Sequence, residues 1–267
     1  MTFKRIDPKS AIRFNSAISS EFLDLYENAW KSDIVTQDSK IPSKTIAPSS
    51  FRCRRRTWFR LRGVQPDITN DPDTGLDFSA EVGTMCHRVI QTRLKTILQE
   101  NWLSVPEYID KNANRLLYPQ DRYKISLDID NLESKIVLTD PPIHFACDGL
   151  ICFNNTVYLL EIKTCDFNIW KDLTCPKSEH IDQVKCYCTV LNIHNVIMLY
   201  QDRTYGNIKC YELYVKDSDM DAIESDIQSV VSAVDTNIAP SGLPVGDKWC
   251  TPNMCQYYKK CQEYGRW

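Results

Sequence analysis

Asp148, Glu161 and Lys163 are the residues whose types and spacing could do chemistry together. They lie within residues 143–164, IHFACDGLICFNNTVYLLEIKT, which read as two strands joined at Asn154-Asn155. Alternating and β-branched apolar residues around two turn formers are a hairpin signal. A turn symmetric about that pair sets Phe153 opposite Thr156 and, counting back, Asp148 opposite Glu161. Two carboxylates opposed on one face of an antiparallel pair repel unless positive charge lies between them. Lys163, two residues beyond Glu161, projects from the same face. Two acidic metal ligands and an ammonium converging on one point suit hydrolysis of a phosphodiester. The plainer alternative is a solvated surface patch. Against it, Phe145, Ile151, Leu159, Leu160 and Ile162 mark both strands as largely buried, and buried charges need partners.

Helices must bring further groups to this hairpin. Residues 79–99 show 3.6-residue apolar spacing at Val82, Cys86, Val89, Ile90, Leu94, Ile97 and Leu98. Gly83 and His87 sit four apart on one flank of it. A mid-helix glycine costs about 1 kcal/mol against alanine, so close approach of another element is expected there. On its own, His87 reads as a satisfied core or surface histidine. Residues 178–191 predict a second helix with Ile181, Val184, Tyr187, Cys188 and Leu191 on its apolar face, and Gln183 stacks beside Tyr187. Strands are expected over 124–130, 133–140, 195–202 and 208–215, and a last helix over about 218–235. A short amphipathic helix from Ser20 would put Phe22, Leu23, Tyr26, Ala29 and Trp30 on one face, after a loose arm over 1–18. Residues 31–50, 64–77 and 166–177 read as loops. This order predicts a mixed α/β (α+β) fold, a central mixed sheet flanked by helices rather than a repeated βαβ unit.

Residues 49–63, SSFRCRRRTWFRLRG, hold Arg52, Arg54, Arg55, Arg56, Arg60 and Arg62 without an acid, interleaved with Trp58, Phe59 and Leu61. Ser49 or Ser50 could cap a helix here. Arginines neutralise phosphates and aromatic rings stack on unpaired bases, so Arg52, Arg54, Arg55, Arg56, Trp58 and Arg60 are candidate DNA contacts. A helix with Trp58 and Leu61 inward and its arginines in water is compatible with that.

The chain has 267 residues, a net charge of −3 and 12 cysteines. The net charge is no argument for nucleic acid, so any such argument is local. No apolar run approaches the roughly 20 residues of a membrane span, and the opening MTFKRIDPKS lacks the apolar segment of a secretory signal. A cytoplasmic protein without membrane contact is expected, and there disulfides are a poor explanation for the thiols. Cys147, Cys152, Cys186, Cys188 and Cys210 fall in apolar patterns and read as small buried hydrophobes. Cys250, Cys255 and Cys261 instead occupy a short polar and aromatic tail, where clustered thiols usually hold a metal. Zinc and iron–sulfur clusters both want four ligands; Cys53 is the best fourth, and zinc with a histidine as the fourth ligand is the competing reading.

Taken in order, C-R-R-R-T-W-F at Cys53, G-T-M-C-H ending at His87, Asp148, E-I-K at Glu161 to Lys163, Q-V-K-C-Y at Gln183 to Tyr187, and three terminal cysteines resemble the PD-(D/E)XK nucleases of the RecB type. More narrowly they resemble the iron–sulfur branch with the CRISPR-associated Cas-four nucleases, the AddB nuclease domain and related phage exonucleases. The resemblance spans about 47–264. It implies a restriction-endonuclease-like core and a Mg²⁺- or Mn²⁺-dependent DNA exonuclease acting on single-stranded or free ends. His87, Asp148, Glu161 and the carbonyl of Ile162 would bind the metal. Lys163 would orient or activate water, and Gln183 and Tyr187 would position DNA or Lys163. Cys53, Cys250, Cys255 and Cys261 would hold a 4Fe-4S cluster, with zinc the competitor. The domain organisation that follows is an arm and short helix over 1–46, a nuclease core over 47–235, and a cysteine segment over 236–267 packing back on Cys53. Relatives suggest phage or prokaryotic recombination, replication or DNA degradation, in a host cytoplasm if phage-encoded. The alternatives are a partner subunit of CRISPR adaptation and a non-catalytic DNA-binding adaptor. Two departures are a C-x4-C spacing where relatives often have C-x2-C, and C-D-G in place of P-D.

Overall fold

A computed structural model describes residues 20–25, 28, 44–67, 74–128, 130, 132–244 and 246–264. The chain divides into two units, residues 1–40 with 70–79 and residues 41–69 with 80–267. In the first, residues 20–25 and 28 are helical, and Phe22, Leu23 and Leu25 are exposed. The expected arm over 1–18, and Tyr26, Ala29 and Trp30 of the expected helix face, lie outside the described residues. The features that follow belong to the second unit, apart from the opening turns of one long helix.

After a 3-10 turn at Pro48–Ser50, helix α1 spans Arg54–Leu61 and α2 spans Thr74–Leu98. Strand β1 (Trp102–Leu103) and α3 (Val105–Lys111) follow, then β2 (Tyr123–Leu127), β3 (Ser134–Thr139), β4 (Pro142–Cys147), β5 (Gly149–Phe153) and β6 (Thr156–Cys165). The remainder is α4 (Phe167–Asp172), α5 (Ser178–Leu191), β7 (Asn195–Asp202), β8 (Ile208–Tyr214), α6 (Asp217–Asp235) and α7 (Tyr258–Glu263). A mixed sheet orders its strands β1-β5-β6-β7-β8, with β6 and β7 parallel, and β2-β3-β4 form a smaller antiparallel sheet.

Strand β6 is the central strand, and it buries Leu159, Leu160, Glu161 and Ile162 in succession because both its faces are covered. Leu159 joins a core with Val184, Cys188 and Leu191 of α5. Leu160 and Ile162, on the opposite face, pack with Ile90 of α2. The two helices that carry the predicted site residues therefore cover opposite faces of one sheet. Helix α5 ends where Asn192 takes the left-handed conformation (φ 51°) and returns its N–H to Cys188.

The β5–β6 turn is the expected one. Asn154 and Asn155 have φ of 48° and 60°, as a two-residue primed turn requires, and Phe153 pairs with Thr156. The ladder runs back to Gly149 opposite Leu160 and stops there. The expected single strand before the turn is two: β4 belongs to the small sheet and β5 to the large one, and Asp148 is the residue between them.

Other expectations need correction. Cys53, not Ser49 or Ser50, is the N-cap of α1, and it makes no side-chain cap. Residues 167–172 of the expected loop are helical. Helix α2 begins at Thr74, and Val89 and Ile97 of its expected apolar stripe are exposed. Cys210 is exposed on the edge strand β8 and Cys152 is half-buried, whereas Cys147, Cys186 and Cys188 are buried. No described helix is long and apolar enough to cross a membrane.

Candidate active site

Asp148 is 8% exposed at the crossing between sheets. Its Oδ2 accepts from the backbone N of Ile162 at 2.7 Å, which ties it across to β6 next to Glu161. Its Oδ1 lies 3.4 Å from His87 Nδ1 on α2. Glu161, 2% exposed, has Lys163 Nζ 2.5 Å from its Oε1. Lys163 also donates to Gln183 Oε1 at 3.0 Å, and Gln183 Nε2 donates to the Tyr187 hydroxyl at 2.5 Å. Phe145 of β4 stacks on the Tyr187 ring at 4.5 Å. A chain of contacts thus runs from the acid through the lysine to α5.

Burial first, and then Asp148, raise the Glu161 carboxyl, and with Lys163 only partly opposing them it ends at about 7. Burial likewise raises the Tyr187 hydroxyl far above its ordinary value, so the phenol stays protonated. Glu161 has less positive charge beside it than its burial demands.

All six of His87, Asp148, Glu161, Lys163, Gln183 and Tyr187 line one cavity of about 310 Å³. Its wall includes groups that sequence reasoning missed. Glu133 is the residue before β3, whose Ser134 pairs with Cys147, so Glu133 and Asp148 are neighbours just beyond the end of one ladder. Burial raises the Glu133 carboxyl, and Asp148 adds to the rise. His144 also lines the cavity, its pKa lowered by burial and then by Arg60. Gln91, one turn beyond His87, is buried and donates to the Asp148 carbonyl at 2.8 Å. The available sequence signal was the spacing of Gly83, His87 and Gln91, four residues apart along one flank. Thr164 Oγ1 would lie 3.4 Å from a Cβ at Gly83, ordinary contact, so the strand does approach this glycine but does not exclude alanine.

The four predicted cluster cysteines line a second cavity, of about 280 Å³, together with Lys163, Gln183 and His180. Burial and the neighbouring Cys53 both raise the Cys255 thiol. Burial, followed by Lys163, lowers His180 to about 4, and its Nδ1 lies 2.7 Å from the Tyr200 hydroxyl. The tail reaches this place by stacking Tyr257 on Phe59 of α1 at 5.3 Å and by bonding Asp67 N to Gln256 O at 2.7 Å.

The arginine segment divides. Trp58 is fully buried, with its Nε1 donating to Ala233 O at 2.9 Å, and Arg55 is 2% exposed, with its Nε bonded to Pro240 O at 2.7 Å. Both are corrected as candidate DNA contacts: a base cannot stack on a ring that has no exposed face. Arg54 is ion-paired with Asp226. Arg52 and Arg56 line the cysteine cavity, and Arg60 is half-buried.

Among the described residues no three His, Cys, Asp or Glu side chains are grouped so as to hold a metal ion as they stand. The donor chemistry nonetheless suits particular groups. The buried carboxylates of Asp148 and Glu161 are hard oxygen donors that suit Mg²⁺ or Mn²⁺, with the His87 imidazole a borderline donor beside them, and the burial that disfavours a lone charge on Glu161 invites a cation. Four thiols around one cavity are a soft set that suits iron–sulfur or zinc.

No protein-family model and no curated protein matches the chain. Among solved structures it is distantly similar to SSO0001, at 16% identity over 89% of this chain and 96% of that one, with a TM-score of 0.46. It is also distantly similar to the alkaline exonuclease LHK-Exo from Laribacter hongkongensis, at 13% identity over 79% of this chain and 94% of that one, TM-score 0.36. The complex of LHK-Exo with dAMP gives 14% identity, coverage of 74% and 91%, and a TM-score of 0.36.

Proposed function

We propose that the chain is a metal-dependent deoxyribonuclease of the PD-(D/E)XK type that removes nucleotides from free, single-stranded DNA ends. The observation that carries this reading is the position of Lys163, between the Glu161 carboxylate and the Gln183 amide and beside the cleft that holds Asp148. Asp148, Glu161, His87 and the Ile162 carbonyl are the groups to hold Mg²⁺ or Mn²⁺. Such an ion, when bound, neutralises phosphate charge and makes water a better nucleophile.

The remaining work falls to the chain's own residues. Lys163 supplies a fixed positive charge where a phosphodiester gathers negative charge during attack. Gln183 keeps the ammonium aimed at the cleft, and Tyr187, braced by Phe145, keeps Gln183 in place. Cys53, Cys250, Cys255 and Cys261 would hold a 4Fe-4S cluster that ties the tail over 236–267 to the start of a nuclease core over 47–235. Arg52, Arg54, Arg56 and Arg60 are the arginines left to meet the DNA backbone.

The test is digestion of end-labelled single- and double-stranded DNA with Mn²⁺, either end blocked, by wild type and by Asp148→Ala, Glu161→Ala and Lys163→Ala. Loss of cleavage with DNA binding retained is expected of the variants. Cleavage by Glu161→Ala and Lys163→Ala at the wild-type rate rejects the catalytic assignment, and binding without cleavage by the wild type indicates an adaptor. Equal iron and acid-labile sulfide in the purified protein support the cluster; a colourless protein with stoichiometric zinc rejects it.

A further inference from the structure

The backbone carbonyl of Asp148 lies where the chain has left β4 and not yet entered β5, so neither ladder provides its hydrogen-bond donor. A buried carbonyl needs one. Gln91 provides it: the side chain is 3% exposed and its Nε2 donates to that oxygen at 2.8 Å. We infer that Gln91 is a positioning residue, setting the direction of the Asp148 carboxylate by fixing the peptide that carries it. The inference rests on the reading of Asp148 as a ligand of a divalent cation.

The geometry leaves Gln91 little choice of position. Ile90, its neighbour on α2, is wedged among Ile151, Leu160 and Ile162, and Leu94 packs against the same cluster. The helix is thereby locked to the face of β5 and β6 from which Gln91 reaches out. His87, one turn earlier, meets the Asp148 carboxylate at Oδ1, while Ile162 N holds Oδ2. Asp148 is thus held at three atoms by two elements. Gln91 alone among these acts through the main chain, where no strand partner is available. Groups that orient a metal ligand in this way typically account for about 10–100-fold in metal affinity.

The decisive measurement is Mn²⁺ binding to the full chain, followed by electron paramagnetic resonance, with thermal unfolding recorded alongside. Gln91→Met keeps the length of the side chain and removes the donor. Gln91→Asn keeps the amide and withdraws it from the carbonyl, and it serves if the methionine variant does not fold. Leu94→Ala loosens the same helix without touching Asp148. Mn²⁺ affinity is expected to fall about tenfold or more in the Gln91 variants and to stay at the wild-type value in Leu94→Ala despite its lower Tm. In assays of cleavage, the Mn²⁺ concentration for half-maximal rate should rise by the same factor. Wild-type Mn²⁺ affinity in Gln91→Met, with loss of binding in Asp148→Ala, overturns the role of Gln91 and leaves the metal site standing. An equal loss in Leu94→Ala also overturns it, because general loosening then explains the effect. Wild-type binding by Asp148→Ala removes the metal-site reading itself.

Discussion

Lys163 on the central strand donates to the amide oxygen of Gln183 on α5 at 3.0 Å, across the interface between sheet and helix. The bond matters because the same ammonium is 2.5 Å from Glu161. A lysine has a long, flexible stem, and an acid alone would draw it onto itself. The amide gives the charge a second anchor, so that it stays at the edge of the cleft.

Removing the charge and removing its anchor should therefore differ in degree. Lys163→Met is expected to lower kcat for DNA cleavage by about 10²–10³, the cost of losing one preorganised electrostatic group. Gln183→Ala leaves the ammonium present but less well aimed and should cost roughly tenfold, about 1.4 kcal/mol of barrier. The loss should fall in kcat, with KM for DNA nearly unchanged. Single-turnover cleavage at saturating DNA separates the two; equal losses would mean Gln183 does more than aim the lysine.

Glu161 predicts a particular pH dependence. Its carboxyl is raised from 4.5 to about 7 in the folded chain, so the folded state favours the protonated acid. The resulting stability is fully present below about 4.5 and is lost as pH rises through about 7. Without divalent ions, Tm should fall across that window, and Glu161→Gln should flatten the fall. Mn²⁺ should raise the wild-type Tm more at the alkaline end, where the carboxylate is ionised, than at the acid end. Thermal unfolding against pH, with and without Mn²⁺, checks both signs.

Within the arginine segment, Trp58 and Arg52 should fail in different ways. Truncating a fully buried tryptophan, as in Trp58→Ala, is expected to cost about 3–5 kcal/mol of stability. The affinity for DNA of whatever remains folded should be unaltered. Arg52, which lines the cavity shared with Lys163, is partly exposed. Arg52→Ala should leave Tm almost unchanged and reduce the slope of log affinity against log salt by roughly 1 if it meets a phosphate. Chemical denaturation and salt-dependent DNA titration distinguish the two.

Gly83→Ala is expected to be tolerated. The added methyl would meet Thr164 Oγ1 at 3.4 Å, ordinary contact, while the helix gains about 1 kcal/mol of propensity. Tm should rise slightly. A fall would show that the strand approaches α2 more tightly than this geometry implies.

Much of the site was legible because its pieces are local. Asn154-Asn155 admits the turn that sets Phe153 against Thr156, and from that pairing the register of Gly149 with Leu160 follows. The helix predicted over 178–191 is α5, Ser178–Leu191, since its apolar spacing and its Asn192 terminus are both written in neighbouring residues. Arg55 misled for the converse reason, whereas Trp58 turns inward as one reading of the segment had it. Six arginines in a short run look solvated. What buries Arg55 is the carbonyl of Pro240, and what buries Trp58 is α6, both far along the chain.

By itself, then, the sequence determined which groups could act: a Glu-x-Lys pair on a buried strand, an acid upstream, a helical Gln–Tyr pair, and thiols at two distant places. Periodicity within one element decides which face a side chain takes, and that needs only near neighbours. Tertiary structure decided that Asp148 stands between two sheets rather than within a strand. It also decided that Glu133 and Gln91 join it and that the cysteine cavity and the acid cleft both reach Lys163 and Gln183. Those outcomes depend on α2 and α5 packing on opposite faces of β6, and packing between remote elements is set by the shapes and volumes of whole cores.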